Sequence, residues 1–101
     1  MSNTIVVIPT FNERENINPL LNRIFSLKIF VDVLILDDNS PDGTKNIVLK
    51  NKKKYKDRLH LINREKKQGL GKAYIEGFKW ALKKNYKKII QMDADLSHPH
   101  E

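Results

Sequence analysis

The chain has 101 residues, 40% hydrophobic and 31% charged, with a net charge of +7, which is room for one small domain with a modest core or for part of a larger one. It contains no cysteine, so disulfides and thiolate metal sites are excluded and a cytoplasmic setting is the default expectation. No apolar run approaches the ~18 residues of a membrane span, and the N-terminus lacks the basic-then-apolar pattern of a secretory signal.

Thr4-Ile-Val-Val-Ile8 is an apolar, β-branched run without alternation, as expected of a strand buried on both faces of a parallel sheet. Pro9-Thr-Phe-Asn12 breaks it. Ile17, Leu20, Leu21, Ile24 and Leu27 then follow helical spacing. With Asn16 as N-cap, Pro19 falls in the first turn, where no bonded N–H is lost. Val31 to Leu36 reads as a second strand with Asp32 at its entry, ended by Asp37-Asp-Asn-Ser40. Ser40 as N-cap, Pro41 at the first helical position and Asp42 in the first turn predict a helix through Ile47 and Val48 into a lysine run. Leu59 to Ile62 is a short third strand, His60 within it, and residues 64–71 form a loop holding Gly69 and Gly71. A third helix carries Tyr74, Phe78, Ala81 and Leu82 on one face. Gly77 inside it costs ~1 kcal/mol against Ala, so it marks a close backbone approach. Lys88 to Met92 is a fourth strand, ending at Asp93-Ala-Asp95. This alternation predicts an α/β fold with a Rossmann-like, doubly wound parallel sheet.

The charge is unevenly spread. Residues 1–44 carry three basic and six acidic groups, residues 45–88 sixteen and three, and residues 89–101 none and three. The densest basic stretch is Lys50, Lys52, Lys53, Lys54, Lys56 and Arg58. A solvated helix end accounts for such a run; a surface meeting anionic lipid headgroups is the sharper alternative. Nucleic acid binding is not expected, because Tyr55 is the only interleaved aromatic and no recognition motif surrounds the run.

Ligands of open α/β sheets bind beyond the carboxyl ends of the strands, and three polar motifs fall there: Pro9-Thr-Phe-Asn-Glu13, Asp37-Asp-Asn-Ser40 and Asp93-Ala-Asp95. Asp93 and Asp95, two apart, share one side of an extended segment. Two carboxylates so placed repel unless a cation lies between them, and Mg2+ or Mn2+ takes one or two carboxylates plus substrate phosphates. A solvated turn is the alternative for an isolated Asp-x-Asp. Asp38, at the end of strand two, is expected to accept hydrogen bonds from a nucleoside rather than to cap the next helix. Pro9, Phe11 and Glu13 form either a helix-entry turn or a platform and polar contact for a base. Gly69-Leu-Gly-Lys72 lacks the P-loop spacing, and no Gly-x-Gly-x-x-Gly follows strand one. His60, His98 and His100 form no zinc-like constellation.

Ile8-Pro-Thr-Phe-Asn-Glu13, Asp37-Asp-Asn-Ser-Pro-Asp-Gly-Thr44, Gly69-Leu-Gly-Lys-Ala-Tyr-Ile-Glu-Gly-Phe78 and Gln91-Met-Asp-Ala-Asp-Leu-Ser-His98 together resemble family 2 glycosyltransferases of the GT-A fold. Within that family they look like dolichyl-phosphate mannose synthases and their bacterial polyprenyl-phosphate relatives, over nearly the whole chain. The resemblance implies transfer of mannose from GDP-mannose to dolichyl or polyprenyl phosphate with inversion, aided by Mg2+ or Mn2+, with peripheral association at the cytoplasmic face of a membrane. It implies that Pro9, Phe11, Glu13, Leu36 and Asp38 contact the guanosine part. Asp93, Ala94 and Asp95 would contact the ribose, diphosphate and metal as the catalytic centre, with Asp95 the chief metal ligand and Ser97 able to reach the metal shell. Phe11 stands where Tyr is commoner, so stacking is kept and a phenol hydrogen bond lost. Another nucleotide sugar, such as UDP-glucose, and a non-catalytic basic binding module are the alternatives. The chain ends soon after its most chemically loaded loop, so residues 1–101 are expected to be the nucleotide-sugar-binding half, the acceptor half absent. Little activity alone and a fragile fold are expected with it.

Overall fold

Each apolar run between polar breaks becomes a strand, and each segment between strands closes as a helix. The computed structural model describes residues 3–65 and 69–94. In chain order the elements are β1 (Thr4–Thr10), α1 (Arg14–Phe25), β2 (Asp32–Asp37), α2 (Thr44–Tyr55), a 3-10 turn (Lys56–Arg58), β3 (Leu59–Asn63), α3 (Leu70–Lys83) and β4 (Lys88–Gln91). The sheet order is β3-β2-β1-β4, and every pairing is parallel. The first two crossovers step one way across the sheet; the third jumps back over β2 and β1. Right-handed crossovers then place α3 on the face opposite α1 and α2.

The two faces have separate cores. Val6, Ile8, Val33 and Ile35 pack against Ile17, Leu20, Leu21 and Ile24 of α1 and Val48 of α2. Ile5, Val7, Leu34 and Leu36 pack against Ala81 of α3 and Tyr86. Strand β2 is buried at every residue, which explains its lack of polar alternation. Asp32 is the first residue of β2, at the strand entry as the sequence places it, yet it is fully buried, and Tyr86 Oη donates to its Oδ2 at 2.6 Å. Among the described residues no helix is long and apolar enough to cross a membrane.

Several boundaries differ from the sequence reading. Strand β1 runs through Pro9 to Thr10. The Val7 carbonyl accepts the Met92 N–H at 3.0 Å, whereas the Thr10 carbonyl accepts the Asp38 N–H at 3.0 Å. Backbone groups alternate sides along a strand, so Pro9 turns its missing N–H toward β4, just past the last β1–β4 pair, Val7 with Gln91. No ladder bond is lost there. Helix α1 starts at Arg14 with Glu13, not Asn16, as N-cap, so Pro19 sits in the helix interior and has no N–H to return to the Glu15 carbonyl. Its exposed position leaves that carbonyl within reach of water. The helix ends at Phe25, so Leu27 lies beyond it, 53% exposed.

Helix α2 starts at Thr44, not Pro41, with Gly43 as N-cap at φ 90°, a conformation that favours glycine. Ser40 is diverted: its N–H and hydroxyl both donate to the Asp37 carboxylate. Asp42 takes over the capping chemistry, its Oδ1 accepting from the Thr44 N–H at 3.0 Å and from the Thr44 hydroxyl. Burial pushes the Asp42 pKa up, but hydrogen bonds from Thr44 and Arg14 and the Arg14 charge outweigh it, and the net shift is downward.

In α3 the buried stripe is Ala73, Gly77 and Ala81, while Leu82 is 64% exposed. A Cβ on Gly77 would meet Val7 Cγ1 at 2.5 Å and Leu36 Cδ1 at 3.1 Å. The helix backbone therefore rests on the sheet, and only small residues fit the seam. The basic run is partly engaged. Lys52 Nζ donates to the Leu59 carbonyl at 2.8 Å, and Arg58 lies over the Phe25 and Phe30 rings at 4.7 and 4.6 Å.

Candidate functional site

The sheet reverses its winding between β1 and β4, and such a switch point opens a crevice at the carboxyl end of the strands. The crevice follows from the local sequence. The β1–β4 ladder stops at Val7 and Gln91 while β1 continues to Thr10, and proline at 9 presents no donor to close the gap.

Hydrogen bonds tie the strand tips together. Thr10 Oγ1 donates to Asp37 Oδ1 at 2.7 Å, and the Ser40 hydroxyl donates to the same oxygen at 2.6 Å. The Asn12 N–H donates to Ser40 Oγ at 2.9 Å, and the Glu13 N–H to Thr44 Oγ1 at 3.1 Å. Asn12 and Asn39 turn the chain at both tips with φ 56°, a region asparagine tolerates better than most residues. Fully buried Asp37 thus fastens the β1 tip to the β2 tip. That leaves its neighbour Asp38 for other work.

Asp38 is 6% exposed and faces the buried guanidinium of Arg64, whose Nε lies 3.3 Å from Asp38 Oδ1. This is an ion pair without hydrogen-bond alignment, because Oδ1 has no hydrogen-bond partner. The same Nε is 3.4 Å from Glu76 Oε1 on α3. The Arg64 N–H donates to the Asp37 carbonyl at 2.7 Å, which fixes the chain leaving β3 to the β2 tip.

At the tip of β4, Asp93 is exposed and accepts a hydrogen bond from Tyr74 Oη of α3 at 3.1 Å. Burial first, then the hydrogen bond and charge of Asp93, push the Tyr74 phenol up to about 12. The phenol therefore remains a donor to Asp93 at neutral pH.

The candidate residues are distributed as follows. Pro9 lies one residue before the end of β1 at the crevice, with Phe11 and Glu13 half-buried in the turn beyond the strand. Glu13 Oε1 accepts from Asn16 Nδ2 at 2.8 Å, so part of this carboxylate already serves the helix entry. The side chains of Leu36 and Ala94 are buried in opposite cores, which leaves their backbones, not their side chains, to meet a ligand. Asp95 and Ser97, with His98 and His100, lie outside the described residues. Among the described residues no three His, Cys, Asp or Glu side chains gather as a metal cage.

Sequence reasoning missed Arg64 and the polar use of Tyr74. Arg64 directly follows β3, so its place on the rim was available from the rule that placed Asp38. Tyr74 was read by helical period alone, although the phenol of a half-buried tyrosine usually finds a polar partner. Two surface depressions lie on the α1–α2 side: one of about 480 Å3 bordered by Asn12, Glu13, Asn16 and Pro41, and one of about 470 Å3 along Asn46, Lys50 and Lys53 of α2. Of the described candidate residues only Glu13 lines either.

The family model described as "Glycosyl transferase family 2" matches residues 5–101. A polyprenol monophosphomannose synthase of Mycolicibacterium smegmatis is 43% identical over 97% of this chain and 37% of its own length. An undecaprenyl-phosphate mannosyltransferase of Micrococcus luteus is 40% identical over 96% of this chain and 40% of its own length. The chain thus spans about two fifths of the length of these relatives. Among solved structures, a Pyrobaculum calidifontis mannosyltransferase in complex with GDP-Man and Mn2+ superposes with TM-score 0.80 at 23% identity, over 92% of this chain and 27% of that one. S. aureus TarS 1-349 in complex with UDP-GlcNAc superposes with TM-score 0.72 at 28% identity, over 91% and 26%.

Proposed function

The chain belongs to glycosyl transferase family 2, and on that premise we propose that residues 1–101 are the donor-binding half of an enzyme transferring mannose from GDP-mannose to a polyprenyl phosphate. The observation that carries this reading is the meeting of the β1, β2 and β4 tips at one switch point, with Asp38 on one side and Asp93 on the other. The relatives' names supply the mannosyl and polyprenyl parts.

Each residue has a role in this reading. Asp38, pinned through Oδ1, offers its other oxygen to N–H or O–H donors of the nucleoside. Pro9 and Phe11 offer apolar surface to the base, and the backbones of Leu36 and Ala94 line the floor. Asp93 is assigned to the diphosphate in this reading. An exposed carboxylate at that place suits Mg2+ or Mn2+, which takes hard oxygen ligands and shares them with phosphates. Asp95 and Ser97 are proposed to complete the set. A divalent ion bound there would neutralise charge building on the departing diphosphate.

In the reaction a phosphate oxygen of the acceptor forms a bond to the anomeric carbon while the bond from that carbon to the diphosphate breaks, with inversion. The attacking oxygen is already anionic near neutral pH, so no side chain need remove a proton. The acceptor is a lipid phosphate, and the net charge of +7 favours residence at the cytoplasmic face of an anionic membrane.

Titration calorimetry of the chain with GDP-mannose, in Mg2+ or in EDTA, tests the proposal. Ion-dependent binding that disappears in Asp95→Ala supports it. Tighter binding of UDP sugars would reassign the donor. Salt-sensitive binding to nonspecific DNA that survives Asp95→Ala would replace the reading with a basic binding module.

A further inference from the structure

Helix α3 takes no part in the donor contacts proposed so far, yet three residues within one of its turns, Tyr74, Glu76 and Gly77, touch the strands or the residues at their tips. Tyr74 reaches Asp93, with 3.1 Å between Oη and Oδ1. Glu76 reaches Arg64, whose Nε also faces Asp38. Gly77 lets the helix backbone rest on Val7 of β1 and on Leu36, the residue before the end of β2. The Tyr74 and Phe78 rings stack at 6.1 Å, which restricts the tyrosine rotamer.

We propose that α3 is the positioning element of the donor site, with Tyr74 orienting Asp93 toward the metal and diphosphate and Arg64, steadied by Glu76, orienting Asp38 toward the nucleoside. This rests on the donor-site reading above and deepens it. Asp93 is exposed; without Tyr74 its carboxylate would sample several rotamers, and ordering it would be charged against ion binding. Asp38 is the reverse case. It is almost fully buried, and its orientation is set by the cation beside it. Phe11, Glu13 and the rest of the β1 loop are tied to the α1–α2 side instead, through Thr44 and Ser40. The two carboxylates that define the site's span are thus both referred to one helix, and the Gly77 contact sets its height above the sheet.

The test separates the two arms on the full chain. Guanosine without metal reads the Asp38 arm; the gain in affinity from guanosine to GDP with Mn2+ reads the Asp93 arm. Tyr74→Phe keeps the ring and removes the hydroxyl. It is expected to cut the Mn2+-dependent gain roughly tenfold, as loss of an outer partner of a metal ligand does, while leaving guanosine affinity unchanged. Arg64→Gln is expected to weaken guanosine roughly tenfold with the Mn2+-dependent gain intact, and Arg64→Lys to recover part of the loss. Glu76→Gln, a change on a half-exposed side chain that the fold tolerates, moves in the direction of Arg64→Gln by a smaller factor. A Tyr74→Phe chain with an undiminished Mn2+-dependent gain would overturn the proposal. So would variants that weaken both ligands in parallel, which is the mark of general loosening. A wild-type chain that binds neither guanosine nor Mn2+ with GDP would remove the donor-site reading itself.

Discussion

Replacing Gly77 by alanine probes the close contact between the α3 backbone and the sheet. The added Cβ would lie 2.5 Å from Val7 Cγ1, 3.1 Å from Leu36 Cδ1 and 3.7 Å from Val7 Cβ. Val7 and Leu36 are both fully buried. Val7 is β-branched and sits in a central strand, so its methyl cannot swing away without leaving its rotamer. Either the helix lifts or the strand shifts. Overpacking of this kind costs ~1–3 kcal/mol, and the sub-van der Waals distance puts it at the upper end. Alanine returns ~1 kcal/mol of helix propensity. The net destabilisation is therefore ~1–2 kcal/mol, a fall in Tm of about 4–16 °C for a domain of this size. Gly71 is the control. It lies in the same helix with nothing within 4 Å of its would-be Cβ, so Gly71→Ala should be neutral or stabilising by up to ~1 kcal/mol. Thermal unfolding followed by circular dichroism compares the pair. A Gly77→Ala chain at least as stable as wild type would refute the backbone contact, and with it the reference height assigned to α3.

Asp37→Asn should destabilise by about 2 kcal/mol: with the amide oxygen kept on the Ser40 N–H, the Thr10 and Ser40 hydroxyls lose the charged oxygen they both donate to and meet an N–H2 instead; urea unfolding checks it, and an unchanged midpoint would show that Asp37 does not fasten the two tips. Asp42→Ala should cost about 1 kcal/mol by uncapping α2. Because the Asp42 pKa is lowered on folding, its contribution is present above the usual carboxylate range and is lost as pH falls through the folded value, so the wild-type and mutant stability curves should converge in acid. His60 has a pKa lowered from 6.5 by burial first and then by the Lys52 charge, partly offset by Asp32 and Asp57. The unfolded chain therefore binds this proton more readily, and stability should fall as pH drops through 6.5 toward the lower folded value. His60→Gln should flatten the Tm profile between about pH 7 and 5; an identical slope in the mutant would assign it to other groups.

The architecture was legible because its signals are local and redundant. Four apolar runs, the first three each followed by a polar break and a helical period, leave little choice besides a parallel sheet, and Asp38 falls on the rim by the same rule. The misreadings came where several residues compete for one role. Ser40, Asp42 and Thr44 can each cap a helix; Asp37 captures Ser40, and that pairing depends on Thr10 from another strand. Pro9 looks like a strand terminator until the neighbour on its N–H side is known to have ended. In α3 the large apolar residues marked the wrong stripe, since a helix lying directly on a sheet buries its small residues and turns Leu82 outward. Arg64 sits at the end of a strand with no motif around it, and its charge joined the count of a basic segment although its side chain is inside.

The central claim is that the tips of β1, β2 and β4 surround one metal-bound diphosphate. Paramagnetic broadening of the amide spectrum by Mn2+ in the presence of GDP measures this most directly, since broadening falls steeply with distance from the ion. The account predicts that signals of Pro9's neighbours Ile8 and Thr10, of Asp38, and of Met92 to Ala94 broaden together, only when GDP is present, and recover on adding EDTA. Broadening confined to the Asn46–Lys53 face of α2, or to Glu13 and Asp42 with Asp93 untouched, would contradict it.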